Sequence, residues 1–269
     1  MIKSLNGCAS INVEISSICH KNCFCCGRRS SDRKAITPIN YGHMPLDLMT
    51  KIADQIPNGI TVQLHWNGEP TEHPQLADAL KIFHNNFTNF VTNGLLLAEK
   101  ATDIIGNVDT ISISIIENED PVVRIQQYES IVKFLGLKGT DKPFTSLRFV
   151  GHIENPQQYY ELDLPIVKRI LHRPEGSFGY TKETVKPETM VCLEMLHKLA
   201  IDRFGNVSPC VRYDPEGKMI LGNVNNDSLY DIWNSFKRHK MVAKHITGRR
   251  GELEFCGKHC DYYGNPRGD

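Results

Sequence analysis

Cys19-His20-Lys21-Asn22-Cys23-Phe24-Cys25-Cys26 is the stretch on which the reading of this chain turns. Four thiols fall within eight residues, and Cys19, Cys23 and Cys26 have the spacing Cys-x3-Cys-x2-Cys. Structural zinc and electron-transfer clusters normally take four protein ligands, whereas three thiolates leave one iron of a cubic cluster open. An open iron is a place where a substrate or cofactor binds, so the stretch reads as a reactive cluster. A zinc knuckle that recruits Cys25 or a distant residue as fourth ligand is the alternative at this point.

Working outward, 269 residues suffice for one large domain, or a large and a small one, with a real core. Lys plus Arg and Asp plus Glu both total 31, a balance that argues against general phosphate-backbone binding. The basic run Arg28-Arg29-Ser30-Ser31-Asp32-Arg33-Lys34 reads as a solvated loop after the cysteines. Residues 1 to 10 lack the continuous apolar run of a targeting segment, and no stretch has the length to span a bilayer. A cytoplasmic protein with no membrane contact is expected, and its nine cysteines then point to metal ligation over disulfides.

Residues 10 to 16 alternate apolar and polar and predict a strand that runs straight into the cysteine loop. A helix opening at Pro45 carries Met49, Ile52, Ala53 and Ile56 on one face. The strand 61–66 then leads into Asn67-Gly68-Glu69-Pro70 and a helix with Leu76, Leu80 and Phe83 inward. The unit repeats: the strand 90–92 ends in Asn93-Gly94, and the helix after it stops at Gly106. The strand 108–116 sets Ile111, Ile113 and Ile115 against Thr110, Ser112 and Ser114, and Asp120-Pro121 starts a helix ending at Gly136. Strands 147–153 and 166–172 follow, the last after a short helical segment. Six strands alternating with helices predict an α/β fold, a partial (β/α)6 barrel of the TIM type with a small C-terminal domain. Ligands then collect at the carboxyl ends of the strands. Residues 173 to 187 read as a linker, dividing the chain into 1–185 and 186–269.

The cysteine triad and Gly68-Glu69-Pro70 after the second strand resemble the radical S-adenosylmethionine (radical SAM) enzymes. The resemblance implies that residues 68 to 70 hold the amino group of SAM, through backbone carbonyls and the Glu69 carboxylate. It places Ser112 and Ser114 at the SAM ribose or carboxylate, and Gly151-His152-Ile153-Glu154 in the adenine-supporting strand end. Arg148, His152 and Glu154 alternate to one side of their strand and are candidates to line the pocket, with Arg148 and His152 the candidate catalytic residues.

A second set is Cys192-x12-Gly205-x4-Cys210, with a hairpin around Arg203-Phe204-Gly205, followed by Cys256-x3-Cys260. Four thiolates suit a complete [4Fe-4S] cluster or a structural zinc. With Leu221-Gly222-Asn223-Val224 and Asp227-Ser228-Leu229-Tyr230-Asp231-Ile232-Trp233 between them, these residues resemble the twitch and SPASM auxiliary-cluster domains. Cys8 and Cys25 are left over as spare thiols. The joint resemblance implies two [4Fe-4S] clusters and SAM, cleaved reductively to a 5'-deoxyadenosyl radical that takes hydrogen from a small-molecule or peptide substrate. It also implies a one-electron donor such as flavodoxin or ferredoxin, and, with a second cluster to receive an electron, an oxidation. Only eighteen residues precede Cys19, so no leader-binding domain is expected there, which weighs against a peptide maturase. Outside the enzymes, the alternative is an iron-sulfur or zinc binding module without catalysis.

Overall fold

Alternation along the strands becomes a parallel sheet with one apolar and one polar face. The computed structural model describes residues 4–21, 23, 26, 40–116, 120–169, 192–211 and 217–258. Among these, nine strands form one sheet in the order β6-β5-β4-β3-β2-β1-β7-β8-β9. The first six are β1 (Ser10–Val13), β2 (Thr61–Gln63), β3 (Thr88–Thr92), β4 (Thr110–Ile115), β5 (Phe144–Val150) and β6 (Ile166–Arg169). Each pairs parallel with the next. Helices α1 (Leu46–Ala53), α2 (Leu76–Ile82), α3 (Ala101–Ile104), α4 (Pro121–Lys138) and α5 (Gln157–Tyr160) fill the crossovers, giving the partial α/β barrel the sequence predicts.

Register explains the two faces. Ile11, Val62 and Thr88 share one row, and Phe90, Ile111 and Thr145 another; all are buried with Met49, Ile52, Leu80 and Phe134 of the helices. The opposite face carries Asn12, Gln63, Asn89 and Thr110 in one row and Ser112 beside Ser146 in the next. Parallel sheets covered on both faces read as near-continuous apolar runs. A polar inner row is therefore reserved for hydrogen bonding inside the barrel.

Several element ends differ from the sequence reading, those of α4 and β5 most instructively. The helix α4, capped by the Asp120 carboxylate at 2.8 Å from the Val122 N–H, runs through Gly136 to Lys138. Burial of Ile131 and Phe134 outweighs the roughly 1 kcal/mol that a helical glycine costs. The strand β5 begins at Phe144, opposite Thr110, and stops at Val150 because Gly151 takes φ +83°. His152 and Glu154 consequently lie beyond the strand, and their alternation with Arg148 is not kept.

At the other side of β1, β7 (Lys198–Ile201) joins parallel, Ile11 opposite Leu199, and β8 (Asn206–Ser208) and β9 (Gly222–Asn223) extend the sheet antiparallel. Leu199, Ile201, Val207, Val224, Leu229 and Trp233 belong to the barrel's own core. A separate cluster gathers Met195, Cys210, Met219, Met241 and Cys256. The expected linker and the boundary after residue 185 lie outside the described residues, as does the basic run 28–34. Among the described residues no helix is long and apolar enough to cross a membrane.

Candidate active site

The loop that carries Cys19, Cys23 and Cys26 leaves the end of β1 and is closed at its base. Ser17 N–H donates to the Gly42 carbonyl at 2.9 Å and Met44 N–H to Ile15 at 2.9 Å, so the chain returns where it left. Cys26 N–H donates to the Cys23 carbonyl at 3.1 Å, a turn over the Cys-x2-Cys spacing. All three thiols are half-buried. His20, between the first two, meets the Glu72 carboxylate at 2.7 Å.

Gly68 passes directly beneath this loop. A Cβ on it would lie 2.2 Å from the Ser16 carbonyl oxygen and 2.5 Å from the Ser17 Cα, so no other residue fits without moving backbone. Glu69 N–H then donates to the Ile18 carbonyl at 2.8 Å, one residue before Cys19. The expectation that the Glu69 carboxylate faces a ligand meets a different geometry: that group is turned into the protein. Oε1 accepts from Thr71 N at 3.1 Å, Thr71 Oγ1 at 2.8 Å and Thr92 Oγ1 at 2.8 Å, and Oε2 accepts from Asn93 N at 2.6 Å. A carboxylate this deeply buried must be hydrogen-bonded. Burial pushes its pKa up, and these four donors pull it back. Of the neighbouring carbonyls, that of Glu69 accepts from Glu72 N–H at 3.1 Å and that of Pro70 from His73 N–H at 3.0 Å, each with a second lone pair that an ammonium group can use.

The next two strand ends are fastened to the same frame. Gln127 of α4, fully buried, donates from Nε2 to the Asn93 carbonyl at 2.5 Å and to the Ser114 carbonyl at 2.9 Å. Ser112 and Ser114 are half-buried on the inner face, Ser112 sharing a 2.8 Å hydrogen bond with Ser146. Arg148 sits opposite Ser114 in register on that face. Gly151 follows at the strand end, while His152 and Glu154 are exposed.

Cys192, Cys210 and Cys256 of the second cysteine set meet in one cluster at the other side of β1. Cys192 precedes α6 (Leu193–His197), Cys210 follows β8 and Cys256 lies in α9 (Glu254–Lys258), with α7 (Leu229–Trp233) and α8 (Phe236–Ile246) between them. Cys210 and Cys256 are buried with Met195, Met219 and Met241, and Cys192 packs against them. Two buried arginines hold this region. Arg238 stacks on Trp233 at 3.3 Å and donates to the Leu196 carbonyl at 2.9 Å; Arg250 donates to the Cys256 carbonyl. Soft sulfur donors in an apolar setting suit an iron-sulfur cluster or zinc. Cys25 and Cys260 lie outside the described residues, and among the described residues alone no three His, Cys, Asp or Glu side chains are grouped closely enough to hold a metal ion. Trp66 joins the two regions, its indole N–H donating to the Val211 carbonyl at 2.7 Å beside Cys210.

Cys8 is a buried thiol whose pKa burial pushes up to about 11, the mark of an inert side chain. Glu14 is the functional-region residue that the sequence reading passed over. It counts there only as a polar position in an alternating strand, yet its buried carboxylate accepts from Asn67 N at 3.2 Å and Arg203 N at 3.4 Å. It thus clasps the turn entering Gly68 and the hairpin turn between Cys192 and Cys210. Burial pushes its pKa up to about 7. A carboxyl raised on folding stabilises below its unfolded value and loses that contribution as pH rises through the folded one. Between about pH 5 and about pH 8.5, the stability of the native chain relative to Glu14→Gln is expected to fall by roughly 2 kcal/mol. Urea denaturation of both proteins across that range checks it; a difference that does not change with pH contradicts it.

Residues 192–261 match the SPASM family, an iron-sulfur cluster-binding domain. Over 266 residues, 93% of this chain and 92% of the relative, the sequence is 23% identical to the S-adenosyl-L-methionine-dependent 2-deoxy-scyllo-inosamine dehydrogenase of Niallia circulans. The structure of BtrN in complex with AdoMet and 2-DOIA shares the fold with a TM-score of 0.61 at 18% identity, covering 95% of this chain and 98% of that one. Native anSMEcpe with bound AdoMet and Cp18Cys peptide gives a TM-score of 0.61 at 13% identity, covering 88% and 83%. On these findings the chain shares the fold of BtrN and anSMEcpe, and its residues 192–261 match the SPASM iron-sulfur cluster-binding domain.

Proposed function

We propose that this chain is a radical SAM oxidoreductase in which Cys19, Cys23 and Cys26 hold a [4Fe-4S] cluster with one iron open to SAM. The observation that carries this reading is the stitching of Gly68 and Glu69 to residues 16 to 18. It sets the 68–70 turn against the base of the loop that carries three half-buried thiols. When bound, the cluster and SAM supply a 5'-deoxyadenosyl radical that takes hydrogen from the substrate.

The chain's own residues bind and orient. The 68–70 carbonyls receive the SAM ammonium, Ser112 and Ser114 offer hydroxyls to the ribose or carboxylate, and Gly151 gives the adenine room at the end of β5. Arg148, on the inner face opposite Ser114, is the better placed of the two candidate catalytic residues, since His152 is exposed beyond the strand end. Cys192, Cys210, Cys256 and Cys260 hold the second cluster. Four protein thiolates would complete the ligand set of such a cluster, and the chemistry it would supply is acceptance of an electron. That favours oxidation of a small polar metabolite, in line with the dehydrogenase named among the relatives. The likeness to peptide-bound anSMEcpe favours a second reading, oxidation of a peptide side chain. The reaction runs in the cytoplasm with a flavodoxin- or ferredoxin-type electron donor.

The reconstituted chain, given SAM and a strong reductant, is expected to release 5'-deoxyadenosine. A chain that binds iron and SAM but forms none is a binding module, and this reading then fails.

A further inference from the structure

We infer that Asn93 is a positioning residue whose side-chain amide sets the reduction potential of the cluster held by Cys19; the inference rests on the cluster assignment proposed above. Asn93 sits on the turn after β3, and its Nδ2 lies 3.8 Å from the Cys19 sulfur. Three other polar groups of the residue are already fixed. Its N–H donates to Glu69 Oε2 at 2.6 Å, its carbonyl accepts from Gln127 Nε2 at 2.5 Å, and its Oδ1 accepts from Leu95 N–H at 2.9 Å.

The last of these settles the amide's orientation. A backbone N–H can only donate, so the atom facing Leu95 must be the oxygen, and the amide N–H groups are left toward the sulfur. Because Glu69 and Gln127 are both buried, the frame and not the side chain's own rotamer preference holds the contact in place.

Reduction of a cubane adds negative charge that spreads onto its thiolates, and an N–H directed at one of them favours the reduced form. The effect is an upward shift in potential, which eases the electron uptake on which SAM cleavage depends. Gly94 and the Asn93 turn thus do more than end a strand: they bring a donor to the first ligand of the cluster from the third strand of the barrel.

The test is an EPR-monitored redox titration of the reconstituted full chain, its N-terminal cluster identified as the signal missing when Cys19, Cys23 and Cys26 are all replaced by Ala. Asn93→Asp keeps an oxygen for Leu95 N–H and removes the donor. At the native midpoint potential its reduced-to-oxidised ratio should fall about tenfold, or ~59 mV for one electron. Asn93→Ala should shift the ratio the same way by a smaller factor, and it serves if the Asp variant does not load iron. A variant that keeps its iron and the native potential, or gains a higher one, overturns the inference. Failure of the native chain to load a cluster at Cys19, Cys23 and Cys26 would instead overturn the assignment on which it rests.

Discussion

Glu69→Ala is expected to destabilise the folded chain by about 3–5 kcal/mol and to weaken SAM binding at least about tenfold. The carboxylate touches no ligand in this account; it gathers the Thr71 and Asn93 N–H groups and the Thr71 and Thr92 hydroxyls at one buried point. Truncation leaves both N–H donors without their acceptor, and each orphaned buried donor costs about 1–3 kcal/mol. The loss of SAM affinity follows from the same bonds, since they fix the 68–70 turn to Thr92 and Asn93 at the end of β3, beside Cys19. Glu69→Gln should recover part of the stability, because one oxygen still accepts while its amide N–H groups face donors. Urea denaturation and calorimetric SAM titration read the two effects. A loss under about 1 kcal/mol with native SAM affinity would show that the turn holds its place without the carboxylate.

Replacing Cys19, Cys23 and Cys26 together by Ala should abolish SAM cleavage while leaving the fold and the second cluster intact. The expected separation follows from the architecture. The triad hangs on a loop closed at its base by Ser17 with Gly42 and Met44 with Ile15, whereas Cys192, Cys210 and Cys256 of the second set pack among Met195, Met219 and Met241 on the far side of β1. Far-ultraviolet circular dichroism and iron analysis of the triple variant should show a native fold and about four irons, with no 5'-deoxyadenosine. Residual cleavage at more than a trace would move the reactive site away from this loop.

Much of the barrel was legible because its signals are local. The alternation of Ile111, Ile113 and Ile115 with hydroxyl residues fixes both the strand and the face that looks inward. Asp120-Pro121 marks the start of α4 by the chemistry of one turn. The helix's end was misplaced because Gly136 looks like a stop signal, and its cost is overcome by burial of residues that packing alone reveals. The SPASM-type spacing was equally readable, but the joining of β7 to β1 is a pairing across nearly two hundred residues that no local pattern encodes. For the same reason the sequence shows Glu14 as one polar residue of a strand, and shows nothing of its hydrogen bonds to Asn67 and Arg203. Glu69 was found by its place in a motif, yet the direction of its carboxylate depends on Thr92 and Asn93 arriving from a different strand. Arg238 and Arg250, which brace the second cysteine set, carry no signal that sets them apart from surface arginines until their burial is seen.

Metal analysis of the native chain, reconstituted anaerobically with iron and sulfide in the presence of competing zinc, tests the central claim most directly. Two cubanes ligated by the two cysteine sets predict about eight irons and eight sulfides per chain, with zinc well below one equivalent. About four irons together with one firmly held zinc would contradict the two-cluster account and leave Cys192, Cys210, Cys256 and Cys260 as a structural zinc site.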